Sequence, residues 1–76
     1  MFVNGSEVAL EAAFEGALED ALEGARTLKS FLEREGYALD RVAVEKNGKI
    51  VPKTRYADVL LDDGDRLEIV AFVGGG

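Results

Sequence analysis

Two hydrophobic rhythms run along this 76-residue chain, and they change at glycines and at Pro52. The segment RLEIVAFV, residues 66–73, alternates with the period of two expected of a strand. That period puts Leu67, Ile69, Ala71 and Val73 on one face and Glu68, Val70 and Phe72 on the other. Val42 and Val44 alternate in the same way, and Asn47-Gly48 then turns the chain into a second short strand at Lys49–Val51. Pro52 ends that strand, because proline has no N–H for the ladder. Asn4-Gly5 marks another hairpin, with strands at about Phe2–Val3 and Glu7–Leu10.

The helical rhythm appears twice. In TLKSFLEREG, Thr27 can cap a helix whose apolar face is Leu28, Phe31 and Leu32, and Gly36 stops it. Glu33 and Arg34 fall on its outer side and read as solvated charges. In EAAFEGALEDALEGAR, Phe14, Leu18 and Leu22 recur every four residues, with Glu11, Glu15, Glu19 and Glu23 on another face. This predicts an additional helix over about 11–23, ending near Gly24. Gly16 and Gly24 each weaken it by up to about 1 kcal/mol. Stacked acids weaken it slightly more, and a mobile acidic loop is the alternative. In KTRYADVLLDDGDR, Tyr56, Val59, Leu60 and Leu61 can cover a core edge, and Asp63-Gly64-Asp65 is a turn.

The resulting order is hairpin, helix, hairpin, last strand. It predicts one α+β domain over 1–76, with an acidic helical insertion at about 11–24 and a flexible tail at 74–76. A domain of this size buries only about 60% of its unfolded surface, so modest stability is expected. With the main helix on one sheet face, the other face is left to solvent or a partner. Val70 and Phe72 fall on that second face, either as ordinary surface hydrophobes, as residues under the acidic helix, or as a partner surface.

Charge adds one asymmetry. The net charge is −6, yet residues 7–23 hold six acids and no base, while the rest balances nine against nine. This disfavours nucleic acid and anionic membranes as partners. No cysteine and no histidine occur, which removes the usual nucleophile, general base and metal ligands. Asp62, Asp63 and Asp65 surround a glycine turn without the spacing of a calcium loop, so no metal site is expected. No catalytic residue is expected either, and Tyr56 reads as a core-edge aromatic. No long apolar span or signal peptide is visible, which favours the cytoplasm.

The end of the chain, Gly74-Gly75-Gly76, offers different chemistry. A carboxylate on residues without side chains can enter a slot that any β-carbon would block. On the glycines alone, this reading and an inert end are equally open.

The segments FVNGSEV, TLKSFLEREG, VAVEKNGKIVPKTRY and LLDDGDRLEIVAFVGGG together resemble the ThiS family of thiamine-biosynthesis sulfur carriers, apart from about residues 9–25. Asn47 to Lys53 is the most specific block; Asp63 to Ile69 is shared with MoaD-type carriers of molybdopterin synthase. The resemblance implies a ubiquitin-like β-grasp fold, with a mixed sheet of four to five strands, one main helix and the extra acidic helix. It implies that a ThiF-type adenylyltransferase, using ATP and magnesium, activates the carboxylate of Gly76, or of Gly75 after trimming. A cysteine desulfurase or other persulfide donor then supplies sulfur, and a ThiG-type thiazole synthase consumes the thiocarboxylate. Gly74 and Gly75 form the tail, and Val70, Phe72 and Val73 the partner-binding residues. The carrier itself binds no cofactor and is not an enzyme; a monomer is expected, with a dimer as alternative.

Two features depart from the family pattern. Members typically end in two glycines, and a third moves the carboxylate by at most about 3.6 Å. The partner tolerates this, Gly76 is trimmed, or the residue is foreign to the natural chain. The acidic segment is also longer than usual. Competing readings are a carrier for molybdopterin, cysteine or tRNA thiolation, and a ubiquitin-like binding module with an inert tail.

Overall fold

The computed structural model describes residues 1–14 and 26–72. Strand β1 (Phe2–Val3) and strand β2 (Ser6–Glu7) flank the first turn. Asn4 and Gly5 have φ of 51° and 86°, the left-handed pair that such a hairpin turn requires. Strand β3 (Val42–Lys46) and strand β4 (Lys49–Val51) flank a second turn of the same kind, with Asn47 at 54° and Gly48 at 83°. Strand β5 is Arg66–Ala71. The sheet order is β2-β1-β5-β3-β4. Strand β5 lies in the centre, parallel to β1 and antiparallel to β3, so the last strand in sequence is held from both sides.

The expected second strand, Glu7–Leu10, is shorter than the sequence suggests. Val8 N–H still donates to the Met1 carbonyl at 2.8 Å, and the Met1 amino group returns a bond to Val8 O at 3.0 Å. The period then changes. Leu10, Ala13 and Phe14 are all buried at spacings of three and four, and helix α1 (Leu10–Ala13) presents them to the core. Of the expected acidic helix over 11–23, the described residues show only this short turn of helix, which ends with Phe14 at its C-cap (φ −116°); the rest of the span, including Leu18 and Leu22, lies outside the described residues.

Helix α2 (Leu28–Arg34) follows its sequence signals closely. Thr27 Oγ1 accepts from Ser30 N–H at 3.1 Å, and Gly36 takes φ +85° after the last turn. Leu28, Phe31 and Leu32 are buried against Val42, Val44, Leu67 and Ile69 of the sheet, and the Phe14 and Phe31 rings meet edge to face with centroids 6.2 Å apart. Arg34 is not merely solvated. Its Nε donates to the Ala13 carbonyl at 3.0 Å, at the C-terminal end of α1.

Of the four residues expected to cover a core edge, Tyr56 and Leu61 are buried and Val59 is half-buried. Leu60 is 59% exposed. Its backbone bridges Thr27 in antiparallel fashion, flanked by the bonds Leu28 N–H to Val59 O and Leu61 N–H to Arg26 O, so its side chain alternates outward. In β5, Leu67 and Ile69 are buried as expected, but Ala71 keeps the inward register opposite Val42 at the end of the sheet and is left exposed. Val73 lies outside the described residues. The turn at Asp63-Gly64-Asp65 carries more than a bend. Asp65 is buried, accepting from Asp62 N–H at 2.8 Å and from Asn47 Nδ2 at 2.9 Å, with Lys46 Nζ at 3.6 Å. No described helix is long and apolar enough to cross a membrane.

Candidate functional site

Both described helices bury their apolar side chains in the core on one side of the sheet. Register and burial define the other side in rows. One row is Ala43 and Val70, the next Ile50, Glu45 and Glu68, and the third Glu7, Phe2 and Arg66. Val70 is 59% exposed and Ile50 77%. Phe72 follows at the strand's end, 54% exposed, and its N–H still donates to Arg41 O at 2.7 Å. The Arg66 guanidinium lies over the Phe2 ring at 4.6 Å. Val70 and Phe72, expected on an open face from alternation alone, are thus exposed on the strand that leads into the tail. Val73, Gly74, Gly75 and Gly76 lie outside the described residues.

The alternation of VAVEK already turned Ala43 and Glu45 outward, but only the strand order brings them beside Val70 and Glu68. Sequence reasoning also missed how β5 is anchored. Asn4 bonds the backbone of Ile69 with both amide atoms, and Asn47 Oδ1 accepts from Arg66 N–H at 2.9 Å. These are the two turn asparagines, acting from opposite edges of the same strand.

Elsewhere several polar groups are committed to structure, while the buried Arg26 Nε has no hydrogen-bond partner among the described residues. Among the described residues no group of His, Cys, Asp and Glu could hold a metal ion. A hollow of about 330 Å³ is lined by Lys29, Leu39, Asp40, Lys53, Thr54 and Tyr56. There Lys53 Nζ donates to Asp40 O at 2.7 Å, and the Tyr56 hydroxyl lies 3.4 Å from Val42 O. Burial pushes the Tyr56 hydroxyl above its ordinary pKa, because the phenolate would be poorly solvated there.

Known proteins agree with this architecture. The crystal structure of a thiamine biosynthesis protein (ThiS) from Geobacter metallireducens superimposes with a TM-score of 0.67. It is 24% identical, over 99% of this chain and 96% of that one, which establishes the fold. The sulfur carrier protein ThiS of Bacillus subtilis is 57% identical over 35 residues, 46% of this chain and 53% of that protein. A thiazole synthase of Paramagnetospirillum magneticum is 54% identical over 50 residues, which are 66% of this chain but only 15% of that protein. A thiazole synthase of Magnetococcus marinus matches over the same shares at 42% identity. The ThiS family profile matches residues 3–76, both asparagine turns and the glycine tail included, and the chain belongs to that family.

Proposed function

We propose that this chain is a sulfur carrier in thiamine biosynthesis and that its working group is the carboxylate at the glycine end. The family match that runs through residue 76 carries this reading. A carboxylate is a poor electrophile. A ThiF-type adenylyltransferase, spending ATP with magnesium, converts it to an acyl-adenylate with AMP as leaving group. The outer sulfur of a persulfide, formed by a cysteine desulfurase or an equivalent donor, displaces AMP to give an acyl disulfide. A thiol that cleaves its S–S bond, itself becoming a disulfide, releases the thiocarboxylate. A ThiG-type thiazole synthase takes that sulfur.

The chain's own part is presentation. Strand β5 is paired on both sides and pinned by two asparagines, so the tail starts from a fixed base. The glycines put no β-carbon in the way of an enzyme slot. Val70 and Phe72 offer apolar area at that base for a partner to grip. The carrier performs no catalysis and works in the cytoplasm. The thiazole branch is favoured over molybdopterin, cysteine or tRNA thiolation by the two relatives named thiazole synthase, in which a matching stretch forms part of a longer chain.

Deleting Gly75 and Gly76 tests the reading. The shortened protein should keep its circular dichroism and unfolding midpoint, yet deliver no sulfur in a reconstituted thiazole-forming assay. Undiminished delivery would overturn the reading.

A further inference from the structure

Glu45 and Glu68 stand directly opposite each other across β3 and β5, on the exposed face. Like charges in that position destabilise an antiparallel pair. Among the described residues neither carboxylate has a hydrogen-bond or ion-pair partner. The nearest cations in sequence are engaged elsewhere. Lys46 reaches Asp65, and Arg66 lies over Phe2. Ile50 lies beside Glu45 in the same row, the Val70 and Ala43 row follows on one side and the row with Arg66 and Phe2 on the other, so the pair borders the apolar part of the face.

A local conflict of this kind on an exposed face marks a functional surface. We propose that the Glu45–Glu68 pair is the electrostatic half of the docking face, receiving a lysine or arginine of the thiazole synthase while Val70 and Phe72 meet its apolar surface. This rests on the carrier reading above. Three observations select this occupant. The face continues along β5 into the tail that the synthase must receive. Its uncompensated charge is negative, which calls for a basic partner. Two relatives carry a matching stretch within a longer chain named thiazole synthase.

The consequence is a pair of opposite effects from one substitution. Glu68→Gln, and separately Glu45→Gln, should raise the thermal unfolding midpoint of the free protein by about 1–5 °C. The same variants should lower affinity for a purified ThiG-type synthase from the same organism by about tenfold, and flatten the salt dependence of binding. Glu33→Gln, on the exposed side of α2, changes net charge equally and should do neither. A purely structural role moves both readouts in the same direction. Charge variants that bind the synthase as the parent does overturn the inference and leave the carrier reading intact, as does a loss confined to the adenylylating enzyme. A parent protein that binds no synthase at all overturns both. Lower midpoints in both variants would show that the pair is not in conflict and end the argument.

Discussion

Asn4 and Ile69 bind each other twice, although 65 positions separate them. Ile69 N–H donates to Asn4 Oδ1 at 2.7 Å, and Asn4 Nδ2 donates to Ile69 O at 3.3 Å. The side chain thereby extends the short parallel ladder between β1 and β5 beyond Val3 and Leu67. Asn4 is placed for this by its left-handed backbone, φ 51°. Asn47, at φ 54°, does the corresponding work on Arg66 from the other edge. The two turns that close the hairpins therefore also fix the strand that bears the tail.

Asn4→Gly separates the turn from the clamp. Glycine accepts the left-handed conformation without strain, so the turn survives and the two bonds to Ile69 are lost. The expected cost is about 1–3 kcal/mol in urea unfolding. A change below about 0.5 kcal/mol would show that water replaces the amide at no cost. Asn4→Ala should cost more, because a β-carbon disfavours positive φ.

The hairpin turns were legible because their signal is local: Asn-Gly needs only its own two dihedral angles. Helix α2 was legible for the same reason, with Thr27 and Gly36 marking its ends. The clamps were not, because they depend on which strand lies alongside. Leu10 was read as the end of a strand, since a short apolar run carries both periods; burial of Ala13 and Phe14 decided for helix. Leu60 failed similarly, through the bridge to Thr27, whereas Arg34 is exposed as expected and only its bond to the Ala13 carbonyl was beyond the sequence. For the candidate site, alternation exposed Val70 and Phe72, but only the register of β3 against β5 joins Glu45 to Glu68.

Tyr56 sets an alkaline limit. Its hydroxyl titrates above the ordinary value of 10.0 because it is buried, so the folded protein keeps the proton that the unfolded chain gives up. Its contribution to stability is complete below the unfolded pKa and declines as pH rises through the folded one. Urea midpoints should fall as pH climbs above about 10, and Tyr56→Phe should reduce that fall. An identical pH dependence in the variant would remove Tyr56 from the account.

Phe72→Asp should leave the fold largely unchanged, since Phe72 is more than half exposed at the end of the strand. It should weaken docking to the adenylyltransferase, measurable by titration calorimetry, by about tenfold or more. Unchanged affinity would exclude Phe72 from that interface.

Gly75→Ala adds one methyl group to the tail. Stability should stay within about 0.5 kcal/mol, while adenylation is blocked because the β-carbon meets the wall of the activating slot. Normal formation of the acyl-adenylate would show that the slot is wide and that the glycines serve another purpose.

The central claim is that the glycine carboxylate carries sulfur. The direct measurement is the intact mass of the protein after incubation with a ThiF-type adenylyltransferase, ATP, magnesium and a persulfide donor. The account predicts the gain of one sulfur for one oxygen, mapped to the C-terminal peptide and assigned there to Gly76 or Gly75. An unmodified mass, with the same enzyme mixture active on a known carrier, would contradict it and leave a ubiquitin-like binding module with an inert tail.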